Sequence, residues 1–75
     1  MKIYGTSGNV YFELDNGRKV KAEGELLVNH VFLVYKETMV FCDGNKEKLD
    51  KEQVFEIESE AKKETENSAV RLEFE

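Results

Sequence analysis

The sequence has 75 residues, of which 16 are acidic and 11 basic, with one histidine, one cysteine and neither proline nor tryptophan. This length fits a single small domain over residues 1–75, and so short a chain buries only about 60 % of its unfolded surface. The formal net charge of −5 argues against a nucleic-acid ligand, because neutralisation of phosphates by Lys and Arg supplies most of such affinity.

The sequence also lacks the features of an exported or membrane protein. No apolar stretch approaches the roughly 20 residues of a membrane helix, and residues 1–5 have neither the apolar core nor the cleavage site of a signal peptide. One cysteine cannot form an internal disulfide, which is typical of proteins in a reducing compartment. We therefore expect a soluble cytoplasmic protein with no membrane association.

Alternating apolar and polar residues predict strands in the first half of the chain. The pattern favours an edge strand over residues 2–4, a second strand over residues 10–14 and a third over residues 18–23. In the last two, one face is apolar and the other polar, as in a sheet that is covered on one face.

The connection between the second and third strands sets their register. A two-residue turn would place apolar side chains opposite polar ones. A three-residue loop over residues 15–17, with its glycine in a left-handed conformation, instead places Phe12 opposite Val20. The same loop places Glu13 opposite Lys19, a favourable cross-strand charge pair. We therefore predict the three-residue loop.

The middle of the chain predicts further strands. Gly24 is expected at a bulge or bend, and Asn29 and His30 are expected in a turn. Residues 31–35 are apolar without alternation, which is typical of a central strand covered on both faces. Residues 38–42 predict another short strand.

A helix is predicted to begin after Asp50 and to end at residues 67–68. Asp50 is a favourable N-cap, and Gln53 lies three residues further on, as in a capping box. Leu49 and Val54 occupy the two positions of a hydrophobic staple, which fixes how the chain enters the helix.

The helix and the segment after it complete the predicted architecture. Val54, Ile57 and Ala61 form one narrow apolar stripe along the helix, and residues 69–75 alternate as a last strand. The sequence therefore predicts an α+β fold. We expect a mainly antiparallel sheet of about four to five strands, with one helix in the C-terminal half packed on one face and a final strand after it.

The negative charge is concentrated in the second half of the chain. Residues 1–42 hold five acidic and five basic side chains, so the whole net charge of −5 lies in residues 43–75. Roughly opposite the apolar stripe, the helix carries four glutamates: Glu52, Glu56, Glu60 and Glu64. Two interpretations are open, a solvated helix face or an acidic face that attracts a basic partner protein.

The sequence carries no signature of catalysis, metal binding or cofactor binding. His30 and Cys42 supply only two of the four ligands of a structural zinc site, and no third group supports a Cys–His nucleophilic pair. We expect His30 in its turn and Cys42 as a small buried apolar residue. The glycines of residues 5–8 lack the lysine and the helix of a phosphate-binding loop. We therefore predict no enzyme, no metal and no cofactor.

Two aromatic residues are candidates for a binding surface. Phe55 lies about a third of a turn from the centre of the apolar stripe. It is either an edge of the core or an aromatic anchor within a charged rim. Tyr11, opposite Lys21 on the polar face of the first hairpin, is either a second anchor or one half of a solvated cross-strand pair.

Several segments of the chain match a known sequence pattern in both order and spacing. The most specific are Gly24-Glu25-Leu26-Leu27 and Leu72-Glu73-Phe74-Glu75. The chain resembles the immunity protein 74 family of polymorphic toxin systems over nearly its whole length. That resemblance implies a bacterial protein that binds and neutralises a cognate toxin, and that the gene for this toxin is adjacent to its own.

One segment departs from the family pattern. Where members tend to carry a segment similar to Trp-Glu-Pro-Pro, this chain has residues 39–44, with sequence Met-Val-Phe-Cys-Asp-Gly. No binding residue is therefore carried over from the family.

The charge and the resemblance together predict a binding surface on the helix. Its candidate partner-binding residues are Glu52, Phe55, Glu56, Glu60 and Glu64. The expected partner is a toxin protein, with a basic nuclease as one candidate, and we expect the immunity protein to be a monomer or weak dimer. The alternative is a small adaptor domain that self-associates through a sheet edge without any toxin.

Overall fold

A computed structural model describes residues 1–42, 44 and 47–75, in which one helix packs on a curled mixed sheet. The strands are β1 (Lys2–Gly5), β2 (Asn9–Glu13), β3 (Lys19–Leu27), β4 (Val31–Val34), β5 (Val40–Phe41) and β6 (Arg71–Phe74). The helix is α1 (Lys51–Thr65), and two single 3-10 turns span Val28–His30 and Lys36–Thr38. The sheet order is β1-β2-β3-β4-β6, with β5 also paired to β3. The predicted α+β fold is confirmed.

The first hairpin has the predicted register. Phe12 is opposite Val20 and Glu13 is opposite Lys19, and Gly17 has the left-handed conformation, with a φ of 88°. The three-residue loop is therefore confirmed. This loop length is favoured because it keeps the buried apolar side chains of both strands on one face of the sheet.

Strand β3 continues through Gly24 and changes partners there. Its first half pairs with β2 on one edge and with β5 on the other, while its last four residues pair with β4. A Cβ atom on Gly24 would overlap the carbonyl oxygen of Leu33 and would lie 2.6 Å from a ring carbon of Phe32. The glycine therefore allows β4 and its aromatic side chain to approach β3 closely.

Strands β4 and β5 follow each other along the same edge of β3. The turn at Lys36–Thr38 separates them and would leave a gap in the hydrogen-bond ladder. The Thr38 hydroxyl fills this gap, because it accepts from the backbone N–H of Glu23 at 2.8 Å and donates to the carbonyl of Tyr35 at 2.7 Å.

Helix α1 connects β5 to β6, which lies parallel to β4. The side chain of Asp50 accepts from the N–H of Gln53 at 2.8 Å, and the side chain of Gln53 accepts from the N–H of Asp50 at 2.9 Å. This reciprocal pair confirms the predicted capping box and satisfies two backbone donors at the start of the helix.

The core lies between α1 and the concave face of the sheet. Ile57 and Ala61 of the helix are buried, as predicted, and Thr65 is buried one turn further on. The rings of Phe12 and Phe74 stack with their centroids 6.2 Å apart, which shows how far the sheet curls, because β2 and β6 are not neighbours in it. The other buried apolar residues are Val10, Val20, Ala22, Phe32, Val34, Met39, Phe41 and Leu72.

Strand β4 is central, between β3 and β6, but it is covered on one face only. Phe32 and Val34 are buried, whereas Val31 and Leu33 are only half-buried. The expectation of two covered faces is therefore wrong, because the one helix of the described residues packs on the concave side. The outer face of β4 keeps its apolar side chains partly in solvent.

The close approach at Gly24 makes a testable prediction for stability. Gly24→Ala is expected to lower the free energy of unfolding by about 1–3 kcal/mol, because the added methyl group meets backbone and a packed ring. Gly8→Ala is the matched control, since a Cβ atom there meets nothing within 4 Å, and it is expected to change stability by less than about 0.5 kcal/mol. Urea denaturation followed by circular dichroism measures both, and equal stabilities of the two variants would contradict the packing described at Gly24.

Candidate protein-binding surface

Phe55 projects from the helix into solvent. Its side chain is 68 % exposed, whereas Ile57, two residues further on, is 4 % exposed. An aromatic side chain at the edge of a core would be mostly covered. The structure therefore excludes the interpretation of Phe55 as a core residue and leaves a large apolar group on the surface.

The four predicted glutamates are all exposed, and they wind around the helix instead of forming one flat face. Residues four apart in an α-helix are displaced by about 40° around its axis, so the series from Glu52 to Glu64 turns through about 120°. Among the ion pairs of the described residues, none includes Glu52, Glu56, Glu60 or Glu64. Their carboxylates are therefore not neutralised by an ion pair, and Glu60 and Glu64 interact at longer range with the amino group of Met1.

Phe55, Glu56 and Glu60 line one shallow depression of about 410 Å³, together with Ser59 and Lys63. The structure thus brings together three of the five predicted site residues. Glu52 and Glu64 are exposed on the same helix but do not line this depression. Lys63 introduces a positive charge that the glutamate pattern alone did not indicate.

The opposite side of Phe55 is not acidic. There the ring borders a second depression of about 530 Å³, which is also lined by Lys36, Lys48 and Lys51. Glu58, which lines the same depression, is paired with Lys62 at 3.2 Å and with Lys36 at 3.7 Å. Phe55 therefore marks a boundary between an acidic side and a side of mixed charge.

The structure contains a further apolar groove that the sequence analysis did not find. This β1 groove has a volume of about 700 Å³ and lies between β1 and the segment that follows the helix. It is lined by residues 3–7, by Leu26 and Phe32 of the β3–β4 hairpin, and by residues 68–70. The apolar run Leu26-Leu27-Val28 was the only sequence pattern that indicated an apolar surface here. Three residues are too few to predict which of their side chains are buried.

The hairpin next to the β1 groove ends in an exposed apolar tip. Val28 is 84 % exposed, and the next two residues, Asn29 and His30, both have a left-handed backbone with φ of 66° and 60°. This confirms the predicted turn. Such conformations cost energy for residues other than glycine, although Asn and His adopt them more often than most.

The possible Cys–His pair is excluded by distance. Cys42 follows β5, and its N–H donates to the carbonyl of Lys19 at 3.0 Å, whereas His30 follows the other end of β3. Eight residues of strand separate the two ends, which corresponds to roughly 26 Å. Cys42 is also exposed, so its predicted burial is wrong. The reason is that Phe41 occupies the inward-facing position of this short strand.

Within residues 1–42, 44 and 47–75, no cluster of His, Cys, Asp and Glu side chains could hold a metal ion. No helix in these residues is long and apolar enough to cross a membrane.

The fold and these surfaces define a small α+β protein suited to contact with another protein. An exposed aromatic residue beside a charged rim and an apolar groove at the surface are both typical of sites that bind proteins. A family model described as Immunity protein 74 matches residues 2–75, and the chain therefore belongs to this family. No curated protein and no solved structure matches the chain.

The exposure of Phe55 can be tested by stability measurements alone. Phe55→Ala is expected to change the free energy of unfolding by less than about 0.5 kcal/mol, as is usual for surface positions. Ile57→Ala, on the buried face of the same helix, is expected to lower it by about 2–4 kcal/mol through loss of packing. A large loss in Phe55→Ala, measured by urea denaturation, would show that the ring is part of the core.

Proposed function

We propose that this protein neutralises a cognate bacterial toxin of a polymorphic toxin system by binding to it. Membership of the immunity protein family over residues 2–75 supports the class of function. The observation that carries the proposed site is the exposure of Phe55 beside glutamates that form no ion pairs within the described residues.

The proposed binding surface is the outward side of α1, formed by Glu52, Phe55, Glu56, Glu60 and Glu64. Charges of one sign attract a partner of the opposite sign over distances of about 10 Å at moderate salt and thereby raise the association rate. A toxin that acts on nucleic acid has a basic cleft, so a basic nuclease is the partner whose charge fits best. Phe55 would supply the apolar contact that slows dissociation.

Charge reversal on the helix tests the electrostatic part of this proposal. The double variant Glu56→Lys/Glu60→Lys is expected to associate with the toxin about tenfold more slowly at low salt, because the attraction is replaced by repulsion. The wild-type rate is expected to fall as salt is added, whereas the rate of the variant is not. Stopped-flow kinetics with the toxin domain encoded by the adjacent gene, catalytically inactivated, provides the measurement.

The matched control is Glu23→Lys/Glu73→Lys, which changes the net charge equally on the outer face of the sheet, where both residues are exposed. It is expected to slow association much less than the helix variant. If both variants slow association equally, only the net charge matters. If the helix variant binds like wild type, the proposed surface is wrong.

The apolar part of the proposal predicts a specific loss of affinity. Phe55→Ala is expected to weaken toxin binding by about 2 kcal/mol, which is roughly 30-fold in Kd, mainly through faster dissociation. Val28→Ala truncates another exposed apolar residue, 84 % exposed at the far hairpin tip, and is expected to bind within twofold of wild type. Surface plasmon resonance separates the two rates, and unchanged dissociation of Phe55→Ala would remove Phe55 from the interface.

A further inference from the structure

Strand β1 lies at one edge of the sheet, and among the described residues only β2 pairs with it. At the β1–β2 turn, the N–H of Thr6 donates to the carbonyl of Asn9 at 2.9 Å. Hydrogen-bonded and non-hydrogen-bonded pairs alternate along an antiparallel ladder. The next pair, Gly5 and Val10, is therefore not bonded, and the backbone of Tyr4 is hydrogen-bonded to that of Tyr11. The N–H and C=O groups of Ile3 and Gly5 therefore point away from β2, toward the β1 groove.

The other edge of the sheet is protected where it meets the helix. The backbone N–H of Leu72 in β6 donates to the hydroxyl of Thr65 at 3.3 Å, and this hydroxyl in turn donates to the carbonyl of Ala61 at 2.9 Å. Natural proteins commonly cover sheet edges in this way to prevent unwanted pairing. In β1 (Lys2–Gly5) the only charged side chain is that of Lys2, at its beginning. Residues 3–5 carry neither charge nor proline, so the edge beside the β1 groove lacks this protection.

The β1 groove also exposes apolar side chains beside that edge. Three of its lining residues are large and apolar yet exposed, namely Tyr4 at 42 %, Leu26 at 58 % and Val70 at 38 %. Its volume of about 700 Å³ lies within the range of protein pockets that enclose ligands. Edge backbone groups and neighbouring side-chain pockets are the two elements that β-strand addition requires.

Acidic groups lie near the amino group of Met1, which directly precedes β1. The hydrogen bond to Asp15 raises the pKa of the Met1 amino group, and the charges of Glu64 and Glu60 raise it further. These two glutamates of α1 therefore lie near the beginning of β1. Neither glutamate lines the β1 groove, but their charges act close to the strand that borders it.

We infer that the β1 groove binds an extended segment of the toxin, which adds as a strand to β1. The backbone of the segment pairs with Ile3 and Gly5, and an apolar side chain enters between Leu26 and Val70. Basic side chains of the segment lie near Glu60 and Glu64. The identity of the partner rests on the proposed function, whereas the mode of binding rests on the edge and the groove.

Charge favours such a basic segment over a second copy of this chain. Two copies pairing through β1 would bring together two chains of net charge −5, and each would add its own Glu60 and Glu64 to the contact. The four residues of β1 also offer a short contact for overcoming this repulsion. A basic segment gains attraction from the same charges.

Amide hydrogen exchange with the inactivated toxin domain of the adjacent gene tests the inference at the atoms concerned. In the free protein, the amides of Ile3 and Gly5 are expected to exchange quickly, whereas that of Tyr4, bonded to β2, is protected. On binding, exchange at Ile3 and Gly5 is expected to slow at least tenfold. Tyr4 is the internal control, because its bond to β2 exists in both states.

Two variants provide an independent measurement of affinity. Leu26→Asp places a charge in the β1 groove and is expected to raise the Kd at least tenfold. Val28→Asp introduces the same charge two residues away, outside the groove lining, and is expected to bind within twofold of wild type. Both positions are mostly exposed, so both variants are expected to fold, which circular dichroism verifies.

The possible results are distinct. Slowed exchange at Ile3 and Gly5 together with weak binding by Leu26→Asp supports strand addition. If the toxin binds but both amides stay fast and Leu26→Asp binds normally, the inference is wrong while the proposed function stands. If the toxin does not bind at all, the proposed function is wrong, and so is the assignment of a toxin segment to the β1 groove. If the protein without toxin forms a dimer in which the amides of Ile3 and Gly5 are protected, the edge of β1 binds a second copy and the inference is wrong.

Discussion

The close contact between β3 and β4 at Gly24 is the constraint on which the rest of the structure depends. A side chain at this position would collide with the backbone of Leu33 and the ring of Phe32, so only glycine permits it. Because β3 continues through the contact, its first half pairs with β2 and β5 on opposite edges and its last four residues pair with β4. One strand therefore organises the sheet, and α1 packs on the concave face that results.

The curl of the sheet also determines where binding can occur. It brings the rings of Phe12 and Phe74 together, yet β1 and β6 do not pair with each other. The helix end covers part of the β6 edge through Thr65, and the β1 edge remains available beside the β1 groove. Glu60 and Glu64 of α1 lie near Met1, which directly precedes β1, so the two proposed binding surfaces lie on neighbouring parts of the molecule.

Sequence reasoning placed the exposed glutamates of the helix correctly but could not decide the position of Phe55. A residue about a third of a turn from the apolar stripe lies at the border of the buried face, and its burial depends on how the helix is rotated against the sheet. Lys36 and Lys48, which lie beside Phe55, were missed because they belong to other segments, so that only the packing of those segments brings them to the helix. The β1 groove was missed because it combines three segments that are distant in sequence.

The sequence by itself determined the features that local chemistry controls. These are the register of the first hairpin, set by Gly17 and by the alternation of apolar residues, and the start of the helix, set by Asp50 and Gln53. Only the tertiary structure decided that β4 is covered on one face, that Cys42 is exposed and that Glu60 and Glu64 lie near the beginning of the edge strand β1. Those outcomes depend on how strands and helix pack, since burial is a property of contacts between segments and not of any one segment.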